Sequence, residues 1–126
     1  MEKTKEGTII QRQGMLRSGL LDFISSLSLN DMFMIEVGSY AGESSDIFAS
    51  SGKVRELVCI DPWKTGYDEN DVASSSNMKA AEDAFDKVAE KHSSIIRKFK
   101  GTLEDYIAEN PNSIPDLIYI DACHTY

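Results

Sequence analysis

Phe33-Met-Ile-Glu-Val-Gly-Ser-Tyr-Ala-Gly42 carries an apolar run to Glu36 and then breaks into a turn punctuated by Gly38 and Gly42. A strand that ends in such a turn reads as a strand feeding a ligand loop. Without a Cβ, Gly38 and Gly42 let the backbone turn sharply and lie against a ligand where a side chain would collide. The loop suggests a nucleotide-like cofactor, although strand, glycine turn and helix also occur in sequence with nothing bound.

A second segment strengthens that reading. Leu57-Val-Cys-Ile-Asp61 is another apolar run ending in an acid. Asp61 follows Gly38 by about twenty residues, where dinucleotide-type folds place a carboxylate on a ribose.

The 126 residues allow a single domain with a real core, provided both faces of the sheet are covered. With 21 Asp and Glu against 13 Lys and Arg, the net charge is -8, which repels a nucleic-acid backbone unless a local patch overrides it. Arg97, Lys98 and Lys100 form the basic cluster, and their strand-like surroundings read as a solvated edge or turn rather than a nucleic-acid footprint. No apolar run approaches a membrane span, and Met1-Glu-Lys-Thr-Lys-Glu-Gly7 lacks a signal peptide's hydrophobic region, so a cytoplasmic protein is expected. Cys59 and Cys123 fit that compartment as free packing thiols. They lie near the ends of strands expected to be separated by a third, about 10 Å apart and too far for a disulfide.

Apolar residues from Ile9 to Leu27 recur at roughly helical spacing, interrupted by Gly14 and Gly19, and predict an N-terminal helical segment within 1–30 that covers the sheet or a dimer partner. Strands are expected at 33–37, 57–61, 94–99 and 116–121. Helices are expected at 43–51, burying Ile47 and Phe48 with Gly52 as C-cap, and at 77–91, burying Met78, Ala81, Phe85, Val88 and Ala89. His92, close to that helix's C-terminus, complements its dipole. The polar stretch 64–76 leaves the carboxyl end of the second strand, the edge at which open parallel sheets bind ligands, and reads as a lid. Thr102-Leu-Glu-Asp105 has the form of a capping box, with Asp in place of Glu, opening a short helix that Pro111 and Pro115 stop.

Strands alternating with helices predict an α/β, Rossmann-like, doubly wound parallel sheet in the order 3-2-1-4. The sequence reaches Tyr126 a few residues past the fourth strand, so a C-terminally truncated single domain over 1–126 is expected, with the fourth strand's edge uncovered. The N-terminal helix and that open edge are the two surfaces expected to support a homo-oligomer.

Three segments together resemble the class I S-adenosylmethionine-dependent methyltransferases: Ile35-Glu-Val-Gly-Ser-Tyr-Ala-Gly-Glu-Ser44, Cys59-Ile-Asp-Pro-Trp63 and Asp116-Leu-Ile-Tyr-Ile-Asp-Ala-Cys-His-Thr-Tyr126. The likeness extends to the small metal-dependent sugar O-methyltransferases acting on macrolides, and it covers the front half of their domain. It implies that Glu36, Gly38, Ser39 and Gly42, with Tyr40 in the same loop, line the methionine and ribose portion of S-adenosylmethionine. By the same resemblance Asp61 accepts the ribose hydroxyls, while Trp63 and Thr102 lie near the adenine. Asp121 would be a metal ligand, for example to magnesium, and His124 the base. Ala122 and Cys123 depart from the glycine and polar residue usual there.

The chemistry of the residue types is compatible with those roles. A ribose diol offers two donors to a fixed carboxylate, a purine can lie on an indole, and a histidine near neutral pH can take a hydroxyl proton during an in-line methyl transfer. One Asp does not make a metal site, and further carboxylates would have to come from beyond the fourth strand. The leading expectation is O-methylation of a small molecule or sugar hydroxyl. Two others stay open: a non-catalytic binding or assembly domain that kept the fold, and a nicotinamide-dependent oxidoreductase. The last is disfavoured by Tyr40 standing in a loop where Gly-x-Gly-x-x-Gly would be usual.

Overall fold

A computed structural model describes residues 16–64 and 73–121 of the chain. Its elements run α1 (Leu16–Ser26), β1 (Met32–Val37), α2 (Glu43–Ser50), β2 (Val54–Asp61), α3 (Ala73–Lys91), β3 (Ile96–Lys100), α4 (Leu103–Glu109) and β4 (Leu117–Ile120). The strands form one parallel sheet in the order β3-β2-β1-β4, as the alternation of strands and helices predicts.

Strand periodicity sorts the core into two layers, because successive side chains leave opposite faces. Met32, Met34, Leu57 and Cys59 pack on one face with Leu20 and Ile24 of α1, Ile47 and Phe48 of α2, and Phe85 of α3. Ile35, Val58 and Ile60 point the other way, toward Tyr106 of α4, with Phe99 and Leu103 beside them. Phe48 and Phe85 are fully buried, each worth roughly 1.5–3 kcal/mol over an exposed ring. Leu20 and Ile24 place α1 on this core, so it covers the sheet.

The helix ends follow local chemistry. Thr102 and Asp105 form the reciprocal capping box, each side chain accepting from the other residue's backbone N–H. For α2 the C-cap is Ser51, and Gly52 comes one residue later at φ 81°, the left-handed position that glycine tolerates. The expected Gly52 cap is thus displaced by one.

Strand and helix bounds elsewhere shift by one or two residues, as at β3, which runs 96–100 rather than 94–99, and two boundaries move further. β2 begins at Val54, earlier than its apolar run, because Met32 donates to the Lys53 carbonyl and pairs with Val54 in register. α3 begins at Ala73, so the last four residues of the expected 64–76 lid are helical. Their serines carry no periodicity to announce it. Residues 65–72 lie outside the described residues.

β3 is an edge strand whose two lysines are paired with carboxylates, while Arg97 donates to the Ser93 and Ile96 carbonyls. Lys98 meets Glu82 at 2.6 Å and Asp86 at 2.8 Å, and Lys100 meets Glu82 at 2.9 Å, all from α3. The two lysines thus tie the edge strand to Glu82 and Asp86 of α3. At the opposite edge, Asp116 fixes the start of β4: its carboxylate accepts from the Phe33 N–H, and its own N–H donates to the Phe33 carbonyl, both at 2.8 Å. Beyond it Ile118 and Ile120 are exposed. Among the described residues no helix is long and apolar enough to cross a membrane.

Candidate active site

The carboxyl ends of β1, β2 and β4 converge on the glycine loop. Gly38 donates to the Ile60 carbonyl of β2 at 2.8 Å, and Asp121 donates to the Val37 carbonyl of β1 at 2.8 Å. Gly38 has φ 92°, and a Cβ there would stand 2.4 Å from the Asp121 carbonyl oxygen. Glycine is therefore required at this position twice over, by its dihedral angle and by the close approach of the chain leaving β4. The structure brings Gly38 and Asp121 together.

Gly42, also left-handed at φ 88°, serves a different neighbour. Its would-be Cβ meets Val88 Cγ2 at 3.1 Å and the Phe85 Cα and ring at 3.3 Å. Gly42 thus lets the start of α2 press against α3, which is the packing role of a late glycine in such loops.

Asp61 ends β2 and is nearly buried. One carboxylate oxygen accepts the Tyr40 N–H at 3.0 Å, and the other accepts the Trp63 N–H at 2.8 Å. Asp61 therefore ties the glycine loop to the segment after β2. Both tethered residues have positive φ, 50° at Tyr40 and 45° at Trp63, a conformation that costs a non-glycine residue about 1–2 kcal/mol. The Trp63 indole N–H also donates to the Tyr40 carbonyl, at 2.6 Å.

Trp63 is only 4 % exposed. Its ring stacks at a tilt on Phe85 with centroids 4.8 Å apart, and Lys98 Nζ lies 5.1 Å from the ring centroid. The indole is built into the core between α3 and β3. Thr102 follows β3 as the N-cap of α4, and the neighbouring Gly101 N–H donates to the Asp61 carbonyl at 3.1 Å. That contact holds the start of α4 at the end of β2.

Glu36 points from β1 into the layer beneath α2 and is fully buried. Ser39 donates to Oε1 at 3.1 Å and Ser45 to the same oxygen at 2.5 Å, while Ser44 donates to Oε2. The Cys59 thiol lies 3.8 Å from Oε1. Burial holds the Glu36 carboxyl above its ordinary range, opposed by the three hydroxyls and reinforced by the charge of Asp121. Burial likewise pushes the Cys59 thiol up, with the charge of Glu36 adding to the effect. Such a thiol is a packing group, as expected of it.

Ser44 and Ser45 were not among the candidate residues. The available signal was a strand-end glutamate with three serines within nine positions, since a buried carboxylate requires donors. His92 follows the last residue of α3, and its Nε2 lies 2.7 Å from Asp46 Oδ1 in the first turn of α2, joining the two helices. His124 lies outside the described residues. Among the described residues no group of three or more His, Cys, Asp and Glu side chains could hold a metal ion, and Asp121 alone does not supply a ligand set.

The carboxyl ends of adjacent parallel strands with a glycine loop between them form the usual ligand edge of a doubly wound sheet. A chain of the Trypanosoma brucei PRMT1 enzyme-prozyme heterotetrameric complex with AdoHcy has the same fold, with a TM-score of 0.54 at 22% identity over 84% of this chain. The present chain spans 28% of the length of that one. No curated protein matches the sequence. A family model described as a methyltransferase domain matches residues 35–126, which takes in the glycine loop, Asp61 and the β4 end. The chain belongs to this methyltransferase domain family.

Proposed function

We propose that this domain binds S-adenosylmethionine and serves transfer of its methyl group to an oxygen of a small molecule or sugar. The observation that carries the reading is the Asp61 carboxylate, held at the end of β2 by the N–H groups of Tyr40 and Trp63 and so fixed beside the glycine loop. Each carboxylate oxygen has a second lone pair, so Asp61 can accept from a ribose diol while keeping both backbone tethers. Family membership supports the reaction class, and the AdoHcy in the trypanosome complex, the demethylated form of the cofactor, supports the cofactor.

The residues present fit such a ligand. Gly38 turns the chain at the junction of β1 and β4, Asp61 ends the adjacent strand β2, and Thr102 follows β3 beyond it, all at one edge of the sheet. The bound cofactor would supply an electrophilic methyl group on a sulfonium, whose positive charge suits a chain of net charge -8. The chain's own share is to align the acceptor and take its proton. In this proposal the acceptor's hydroxyl proton passes to His124 as its oxygen takes the methyl group, whose bond to sulfur would break to leave the neutral thioether. No step is routed through a metal ion, because Asp121 is the only ligand of the expected set among the described residues.

The test is methyl transfer from labelled S-adenosylmethionine to a panel of sugars and small hydroxylated molecules, with magnesium, without it, and with chelator. Transfer to a hydroxyl that His124→Ala reduces by about a hundredfold or more, the usual weight of a general base, is the expected result. Transfer to nitrogen or carbon acceptors alone would overturn the oxygen assignment. Binding without turnover on any acceptor would favour a non-catalytic domain.

A further inference from the structure

We propose that Glu36 is a positioning residue: its buried carboxylate clamps the glycine loop to the first turn of α2 and shapes the cofactor site without touching the cofactor. This rests on the S-adenosylmethionine reading above.

The geometry points there from three sides. Glu36 has no exposed surface to offer a ligand. Its two oxygens are taken up by Ser39 from the loop and by Ser44 and Ser45 from α2. These donors lie on either side of Gly42, whose left-handed turn must be held for α2 to reach α3. An anion below the first turn of a helix also meets the positive end of its dipole, which adds to the clamp. The loop's outward face is then set by hydrogen bonds made on its inward one. Gly38, Tyr40 and Gly42 all have their N–H groups engaged, with Ile60, Asp61 and Ser39 as acceptors.

A direct cofactor contact and a clamp make different predictions for Ser44 and Ser45, both buried beneath the loop. The experiment compares the unsubstituted protein with Glu36→Gln and with the double variant Ser44→Ala, Ser45→Ala. Two quantities are read: S-adenosylhomocysteine affinity by calorimetry, and amide hydrogen exchange over residues 38–46 without ligand. A clamp predicts that both variants bind about tenfold more weakly or worse, the scale expected when hydrogen bonds to a buried charge are lost, and that loop exchange accelerates in both. If Glu36→Gln does not fold, Ser45→Ala, which deletes one bond of 2.5 Å, takes its place.

Weaker binding in Glu36→Gln with a silent serine variant would overturn the proposal and make Glu36 a direct contact. Unchanged affinity and exchange in both would also overturn it. If the unsubstituted protein does not bind, the cofactor reading fails, and unchanged loop exchange in the variants would then separately refute the clamp.

Discussion

Trp63 donates its indole N–H to the backbone carbonyl of Tyr40 at 2.6 Å, so two residues in left-handed conformations brace each other across the site. Asp61 completes the brace by accepting both of their backbone N–H groups. Strain of this kind persists only where neighbouring interactions outweigh it, and here they connect the loop after β1 to the loop after β2.

Trp63→Phe keeps a ring against Phe85 but deletes the indole donor and part of a buried ring, so a packing cost adds to that of the lost bond. The Tyr40 carbonyl then loses a partner in a partly buried place, at a cost of about 1–3 kcal/mol. Urea denaturation measures the loss. Unchanged stability together with unchanged Tyr40 amide exchange would mean that the bond carries no load.

Gly38→Ala and Gly52→Ala separate dihedral strain from collision. Both positions have positive φ, but an added Cβ has nothing within 4 Å at Gly52, whereas at Gly38 it stands 2.4 Å from the Asp121 carbonyl oxygen. Gly52→Ala should cost about 1–2 kcal/mol from strain alone. Gly38→Ala should cost more and weaken the pairing of β1 with β4, seen as faster exchange of the Asp121 amide. Equal costs would contradict the close approach.

Glu36 and Asp46 pull stability in opposite directions as pH changes. Glu36 is raised by burial, so its contribution is present below the ordinary glutamate range, about pH 4, and is lost as pH rises through its native value. For Asp46 burial acts upward too, but hydrogen bonds and charge from His92 and Lys91 bring it below its ordinary value. Its contribution is therefore present above about pH 4 and is lost as pH falls through the native value. Across a Tm series from acid to neutral pH, Glu36→Gln should flatten the decline above pH 4 and Asp46→Asn the fall below it. Curves parallel to that of the parent protein would contradict both assignments.

Thr102 gives a contrast between cap and ligand roles. Thr102→Ala removes the acceptor of the Asp105 N–H and should cost about 1 kcal/mol, while Thr102→Ser should restore most of it. A chemical denaturation series on both variants measures this. A Thr102→Ala protein as stable as its parent would show that α4 does not depend on the box.

The strand order was legible because the apolar runs ending at Glu36, Asp61 and Asp121 alternate with helical spacing, and parallel connections leave few alternatives. The capping box was legible because its chemistry is local. The start of α3 was not, since the serines before Asn77 carry no periodicity. The orientation of Trp63 was also hidden: a flat apolar ring suits a purine and a core equally, and contact with Phe85 depends on where α3 lies. The Glu36 network escaped for a related reason. Ser44 and Ser45 become its donors only after Gly42 has turned the chain back over β1.

Under the proposed function, S-adenosylmethionine would lie at the carboxyl edge of this sheet with its ribose on Asp61. Calorimetric titration of the protein with S-adenosylhomocysteine, beside Asp61→Asn and with NADH as control, tests it most directly. Binding is expected in about the micromolar range, some tenfold or more weaker in Asp61→Asn, which trades a charged acceptor for a neutral one, with no NADH binding. Binding of NADH in preference to S-adenosylhomocysteine, or S-adenosylhomocysteine affinity indifferent to Asp61→Asn, would contradict it.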